Sequence, residues 1–329
     1  MLLPVVAVLV GLSFLVWSAD KFVDGAVGVA KFMGMSTLLI GMVVVGFGTS
    51  APEMVVSALS AAQHNPELAL GNAYGSNIAN IALILGFTAV IRPVVVKKIA
   101  LKRDLPVLLV VTAFSIFLVS NLSVTRMDGI IMLAVFALAM GINVVSEMRQ
   151  KKSLAAVAVE EKTAAPVSIW KSLFWLLLGL AVLVASSRLL VWGAVEIARA
   201  LGVSDLLIGL TIVAVGTSLP ELASSIAAAR KGEDDLAFGN IVGSNLFNTL
   251  LVVGIAAVID PMERVSSSIL YRDMPLMLIL TVLLFVFGLP VRKVDGVRRG
   301  RINRIEGSVF VVIYISYLVY LVLEATGRL

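Results

Sequence analysis

The stretch Val45–Glu53, which reads VGFGTSAPE, places a carboxylate inside an apolar segment that begins at Leu38. An ionisable side chain at membrane depth costs at least about 2.5–3.5 kcal/mol, so such residues are rare and usually serve a function. Pro52 directly precedes this carboxylate and removes one helical hydrogen bond. The stretch therefore predicts an interrupted membrane helix with a functional glutamate at the interruption.

The composition around this stretch is that of a membrane protein. Of the 329 residues, 60% are hydrophobic and 14% are charged, with a mean hydropathy of +1.04, whereas soluble domains carry about 25% charged residues. A spanning helix needs about 20 mostly apolar residues. Ten runs approach this length, at about 3–18, 37–62, 68–91, 105–122, 129–146, 172–192, 206–229, 236–259, 274–290 and 307–324. The expected fold class is an all-α membrane protein with ten transmembrane helices.

The basic residues predict the orientation of these helices. With both termini outside, the inner connections hold most of the 26 lysines and arginines, as the positive-inside rule requires. The expected location is a bacterial inner membrane. The net charge of +5 is then explained by loops that touch anionic lipid, and no aromatic interleaving or motif indicates nucleic acid. The bilayer is the expected partner, and no obligate protein partner is evident.

The opening stretch occurs twice in the chain. GTSAPE, which ends at Glu53, returns as GTSLPE ending at Glu221, and the same offset of 168 residues carries GNAYGSNIAN at 71–80 onto GNIVGSNLFN at 239–248. We predict one five-helix repeat at 1–146 with motifs at 41–80, a cytoplasmic linker at 147–170, and a second repeat at 171–329 with motifs at 209–248. An odd helix number makes the second repeat enter the membrane inverted, an architecture typical of secondary transporters.

The repeated motifs bring oxygen atoms together. Helical spacing places Thr49 and Ser50 on the same face as Glu53, and Ser76 on the same face as Asn80. Two repeats that meet would provide two carboxylates in a site made only of oxygen. Calcium takes 6 to 8 oxygen ligands, carboxylates and carbonyls among them, and two carboxylates would balance its charge.

Backbone and exclusion arguments favour the same chemistry. Pro52 and Pro220 free the carbonyls of Gly48 and Gly216, and irregular backbone at membrane depth is tolerated where it is buried or lines a cavity. The chain has no cysteine, and its only histidine, His64, lies at a predicted outer helix end. A site for a soft or borderline metal is therefore not expected.

A structural interpretation of the small residues remains open. Glycine, serine and threonine in membrane helices often serve close packing, and Gly71 and Gly75 form a small-xxx-small stripe that predicts close approach of another helix. For the glutamates, the structural alternative is a pairing with a lysine, and it is disfavoured because the motif helices carry no lysine or arginine near Glu53 or Glu221.

The two motif pairs, at matching spacing in a ten-helix chain, resemble the two alpha repeats of the cation/calcium antiporter superfamily, which contains the sodium/calcium exchangers and their bacterial relatives. The resemblance covers essentially the whole chain. It implies that Glu53 and Glu221 are central calcium ligands that sodium shares. It implies hydroxyl, carbonyl and amide ligands from Thr49, Ser50, Ser76, Asn80, Thr217, Ser218, Ser244 and Asn248, and it suggests that the first and sixth helices slide against the core.

One departure from the family pattern affects the expected mechanism. Several exchangers carry an aspartate in at least one repeat where this chain has Asn80 and Asn248, and an amide cannot exchange a proton. The expected function is an antiporter that exchanges calcium for sodium by alternating access, with these ions as cargo, no cofactor and no enzymatic activity. A calcium/proton antiporter is the nearest alternative, followed by a cation channel. An intramembrane enzyme is disfavoured because Ser50 and Ser76 have no histidine or lysine base on their helices.

Overall fold

A computed structural model describes residues 2–155, 168–203, 208, 211–212, 214–290, 293–294, 297–298 and 300–328 of the chain. They are mostly helical. The first half contains α1 (Leu2–Met33), α2 (Thr37–Thr49), α3 (Ala51–Ala62), α4 (Pro66–Ile91), α5 (Leu105–Val119) and α6 (Arg126–Ala155). The second half contains α7 (Ile169–Ala200), α8 (Ala214–Thr217), α9 (Leu219–Lys231), α10 (Asp234–Ile259), α11 (Ile269–Phe287) and α12 (Arg304–Ala325).

Short irregular elements punctuate the helices. Within the described residues, π-helical turns interrupt or precede the helices at Gly41–Val45, Ala79–Leu85, Ala100–Asp104, Phe247–Val252 and Ile269–Asp273. Short strands in the described residues follow α4 and α11, namely β1 (Val94–Val96), β2 (Lys293–Val294), β3 (Val297–Arg298) and β4 (Gly300–Ile302). Pairing is antiparallel between β1 and β4 and between β2 and β3.

Membrane-spanning length is reached by seven helices of the described part, or by eight spans if α2 and α3, which meet at 47°, are counted as one. This agrees with a helical membrane protein but falls short of the ten predicted helices. One reason is that α5 has only 15 residues after its π-helical turn. The other is that Gly209, Leu210 and Val213, which precede α8, lie outside the described residues.

The predicted interruption is present in both halves. Ser50 (φ −82°, ψ 0°) separates α2 from α3, and Ser218 (φ −92°, ψ 8°) separates α8 from α9. Pro52 and Pro220 then lie in the first turns of α3 and α9, where a proline removes no hydrogen bond that the new helix needs. The following glutamate of each half is thereby held in the first turn of a helix.

The helices α1 and α7 run antiparallel along their length. A Cβ added to Gly11 would lie 2.9 Å from the Leu190 nitrogen, and one added to Gly25 would lie 2.3 Å from the Leu176 nitrogen. The order of these contacts is reversed between the two helices, which are therefore antiparallel. Only glycine permits backbones to approach this closely.

The described residues show no close approach at the predicted small-xxx-small stripe. A Cβ added to Gly71 or Gly75 meets no described atom within 4 Å. The predicted approach stays a prediction, because residues 206 and 210, which the 168-residue offset relates to the contacts of Gly239 and Gly243, lie outside the described residues. Gly239 and Gly243 themselves would place a Cβ 2.3–2.4 Å from carbonyl oxygens of α2. Helix α10 therefore packs tightly on α2.

Two backbone pairings join the halves at opposite ends of the helices. At one end Val94 of β1 pairs with Ile302 of β4, and at the other Val124 bridges Met262. Val94 and Met262 are related by the 168-residue offset. His64, in the turn after α3, lies at the second of these ends, with its Nδ1 3.3 Å from the Asp260 carboxylate.

The predicted cytoplasmic linker at 147–170 lies only partly within the described residues. Helix α6 continues through Ala155, and α7 begins at Ile169. Residues 156–167 lie outside the part that the structure describes.

Candidate ion-binding site

The centre of the molecule holds two buried carboxylates. Glu53 of α3 and Glu221 of α9 are each 2% exposed, and Oε2 of each accepts no hydrogen bond. Ser50 Oγ donates to Glu221 Oε1 over 3.5 Å, so the broken helices of the two halves meet here. Among the described side chains no lysine or arginine forms an ion pair with either glutamate. Two uncompensated charges at this depth are costly unless a cation lies between them.

Amide and hydroxyl oxygens without partners extend this polar centre. Asn80 of α4 and Asn248 of α10 are each 1% exposed, and their Oδ1 atoms accept no hydrogen bond. The hydroxyls of Ser218 and Ser244 are also buried without a partner. Buried polar atoms normally have partners. The two asparagine oxygens, one from each half, share this lack, which is the arrangement expected of cation ligands.

The structure brings the predicted site residues to the same two interruptions and the two helices that pack beside them. All but Thr217 are buried, and Thr217 is half-buried. The buried ones are Thr49, Ser50 and Glu53 around the first interruption, Ser76 and Asn80 on α4, Ser218 and Glu221 around the second interruption, and Ser244 and Asn248 on α10.

The carbonyl of Gly216, which Pro220 was predicted to free, accepts a hydrogen bond from Ser187 Oγ of α7 over 3.1 Å. One of its two lone pairs is thus used by the protein. A serine of the neighbouring α7 therefore occupies one side of this carbonyl.

Two asparagines that the sequence analysis did not single out support the glutamates. Asn72 Nδ2 donates to the Glu53 carbonyl over 3.4 Å and to the hydroxyl of the serine four residues after that glutamate over 3.2 Å. Asn240 Nδ2 makes the same two contacts around Glu221, over 3.4 and 2.9 Å. The sequence did contain a sign of their importance. Each asparagine is the second residue of one copy of the repeated GN motif, and the 168-residue offset relates the two copies.

A second overlooked pair joins α4 to α10. Asn77 Nδ2 donates to Thr249 Oγ1 over 2.7 Å, and Asn80 Nδ2 donates to Asn245 Oδ1 over 3.1 Å. The second contact uses only the amide nitrogen of Asn80, so the amide oxygen of Asn80 stays available as a ligand. These bonds hold the two helices together across the site.

A cavity of about 350 Å³ leads from one side towards the interruptions. Its lining includes Pro52 and Val56 of α3, Thr217, Pro220 of α9 and Arg188 of α7. Val56 lies one helical turn after Glu53 in α3 and lines the cavity. Asn72 contacts the serine that follows Val56, so the cavity and Asn72 lie on the same side of the site. Asn72, on this side of the site, is half-buried, whereas Asn240, on the other side, is buried.

The chain matches the family model described as sodium/calcium exchanger protein over residues 3–145 and 171–323. It is 43% identical over 318 residues to the putative antiporter CaxA of Alkalimonas amylolytica, covering 96% of this chain and 98% of that protein. It is 30% identical over 350 aligned positions to the sodium/calcium exchanger MaX1 of Methanosarcina acetivorans, covering 95% and 97%.

A solved structure of the sodium-calcium exchanger NCX_Mj has the same fold, with a TM-score of 0.80 at 31% identity over 97% of this chain and 98% of that one. The match therefore extends over both halves and both interrupted helices. This chain belongs to the sodium/calcium exchanger protein family, whose members are integral membrane antiporters.

Proposed function

We propose that the protein is a secondary antiporter that exchanges calcium for sodium by alternating access. The observation that carries this proposal is the buried pair Glu53 and Glu221, whose Oε2 atoms have no hydrogen-bond partner and which form no ion pair with a described basic residue. A calcium ion between them would neutralise both charges. Sodium ions could occupy the same oxygens in its place, which makes the two cargoes mutually exclusive.

The proposed ligand set extends outward from the glutamates. The unpaired Oδ1 atoms of Asn80 and Asn248 and the unpaired hydroxyls of Ser218 and Ser244 support their inclusion. Calcium accepts 6 to 8 such oxygens in flexible geometry. The remaining proposed ligands, which the motif positions support, are Thr49, Ser50, Ser76 and Thr217.

Sodium is the proposed coupling ion because the amides at Asn80 and Asn248 cannot bind or release a proton. A proton-coupled cycle would have to rely on Glu53 and Glu221 alone. The many hydroxyl and amide oxygens around them exceed what proton exchange requires, whereas sodium needs oxygen ligands. The calcium/proton antiporter remains the alternative that an ion-gradient experiment must separate.

Equilibrium binding tests whether the unpaired oxygens hold calcium. Purified protein is expected to bind one calcium ion per chain, and added sodium is expected to displace it competitively at constant pH and ionic strength, with potassium as the matched salt. Calcium-45 retention by equilibrium dialysis measures both. Absence of bound calcium, or bound calcium that sodium does not displace, would contradict the proposal.

The proposed architecture is a pair of inverted five-helix repeats with ten spans, and both termini lie on the outer face of the inner membrane. The antiparallel packing of α1 on α7 supports this arrangement. So do the equivalent contacts of Asn72 and Asn240 with their glutamates, and the two pairings of Val94 and Met262 at opposite ends.

Thiol labelling tests this topology in a chain that has no native cysteine. Single cysteines at the exposed residues Asn65 and Glu263 are expected to react from outside the cell with an impermeant maleimide. Cysteines at the exposed residues Lys98 and Arg301 are expected to react only after the membrane is opened. Labelling of Lys98→Cys and Arg301→Cys from opposite faces would refute the inverted repeats.

A further inference from the structure

Asn72 and Asn240 are equivalent in the two halves but differ in their contacts across the site. Asn240 is 1% exposed, and its Oδ1 accepts a hydrogen bond from the hydroxyl of Thr49 in the opposite half over 3.1 Å. Asn72 is half-buried and is bonded only through its Nδ2, so its Oδ1 accepts no hydrogen bond from a described residue. One side of the site thus has a bond between the halves that the other side lacks.

The packing around the two asparagines has the same asymmetry. Gly239 and Gly243, which flank Asn240, are buried against α2, and no side chain larger than hydrogen would fit there. Gly71, beside Asn72, is exposed, and the cavity that reaches Pro52 lies on its side. The site is therefore closed beside Asn240 and open beside Asn72.

The offset of 168 residues identifies the missing partner. It carries Thr49 onto Thr217 and Asn72 onto Asn240, so the bond Thr49–Asn240 has one equivalent, Thr217–Asn72. Alternating access in an inverted-repeat transporter is largely a movement of one repeat against the other around a fixed site, and we infer that its second state exchanges the environments of the two equivalent halves. In that state the equivalent bond forms and the present one breaks.

We propose that Asn72 and Asn240 are positioning residues that exchange one hydrogen bond during transport. Thr49 donates to Asn240 while the site is open beside Asn72, and Thr217 donates to Asn72 while the site is open beside Asn240. The proposal rests on the proposed antiport function, since it describes how the two sides of one ion site close in turn.

The contacts of each asparagine explain how closure reaches the ion. Through Nδ2, Asn240 holds the carbonyl of Glu221 and the hydroxyls of Ser224 and Ser225. The Thr49 hydroxyl has only one proton to donate, and two acceptors lie within reach of it, Asn240 Oδ1 at 3.1 Å and the Val45 carbonyl of its own helix at 3.0 Å. In either arrangement the lone pairs of the Thr49 oxygen are left for a cation. Breaking the bond to Asn240 leaves the hydroxyl on the Val45 carbonyl, so that Thr49 no longer joins the two halves on the side that opens.

Single alanine variants test the hydrogen-bond exchange, because each is expected to change the calcium affinity in opposite directions on the two faces of the membrane. Losing one such bond is expected to change the ratio of the two states by about fivefold, and apparent affinity follows the population of the competent state. Asn240→Ala should weaken calcium binding from the face beside Asn72 and strengthen it from the opposite face. Asn72→Ala should do the reverse. Calcium-45 exchange in vesicles of defined orientation measures both affinities.

A purely structural role would lower both affinities alike in each variant, and this outcome would overturn the proposal. If the parent chain shows no sodium-driven calcium exchange, the proposed function fails. The exchange of bonds can then still be examined by cross-linking, which requires no transport.

Cross-linking provides this second measurement. In the cysteine-free chain, the variant with Thr49→Cys, Asn240→Cys, Thr217→Cys and Asn72→Cys is oxidised in membranes, and peptide mapping counts the disulfides in each molecule. We expect molecules with the first pair joined and molecules with the second pair joined, but none with both. Molecules that carry both disulfides would overturn the exchange, and so would a preparation in which the Thr49→Cys–Asn240→Cys disulfide forms but no molecule carries the Thr217→Cys–Asn72→Cys disulfide.

Discussion

Glu53→Gln and Glu221→Gln are each expected to reduce sodium-dependent calcium exchange by at least about 100-fold without preventing folding. Glutamine keeps the shape of the side chain but removes one of two buried charges. Removing one carboxylate leaves the bound calcium with an unbalanced charge in a buried site, and the loss of one partner of a buried ion pair costs roughly 3–5 kcal/mol, which corresponds to at least about 100-fold in binding. Calcium-45 uptake into sealed vesicles measures the loss, and the elution profile and melting temperature of the purified variants measure folding.

The matched control for these variants is Glu263→Gln, which makes the same chemical change in an exposed loop. This control should exchange calcium at the parent rate. If either variant at the buried pair also does so, Glu53 and Glu221 are not the central ligands, and the site must be sought elsewhere.

Gly243→Ala is expected to reduce exchange by at least about tenfold and to lower the melting temperature. The added Cβ would lie 2.3 Å from the Met42 oxygen and 2.6 Å from its Cα, and backbone atoms cannot move aside as a side chain end can. Overpacking of this kind costs roughly 1–3 kcal/mol. It would displace α2, which carries Thr49 to the site. Exchange rate and thermal melting of the purified protein test this expectation together.

Gly141→Ala provides the comparison, because a Cβ at this exposed position of α6 meets no described atom within 4 Å. Alanine is also the better helix former by about 1 kcal/mol, so this variant should exchange calcium normally and melt no lower than the parent. Normal exchange by Gly243→Ala would show that α2 and α10 do not pack as closely as described.

The interruption of the helices was predictable because its causes are local. Pro52 and Pro220 cannot continue a helix from the residues before them, and the structure places both in the first turn of a new one. The carboxylates one residue later then had to be buried or to face a cavity, since apolar sequence surrounds them on both sides. The repeated spacing of the motifs also predicted that two equivalent groups would meet.

The contacts between the halves were not predictable from local sequence. The bond from Thr49 to Asn240 joins residues 191 positions apart, and no periodicity within one helix indicates it. The openness of Gly71, in contrast to the tight packing of Gly239, depends on which side of the site is closed. A repeated sequence encodes both arrangements equally, so only the structure distinguishes them.

The central claim, that this chain couples calcium movement to sodium, is tested most directly by calcium-45 uptake into sealed proteoliposomes. The vesicles are loaded with sodium and diluted into sodium-free buffer, with equal pH on both sides and the membrane potential clamped. We predict that calcium accumulates above its external concentration and that the accumulation disappears when sodium is present equally on both sides. Accumulation driven only by a pH gradient, or calcium that merely equilibrates, would contradict sodium-coupled antiport.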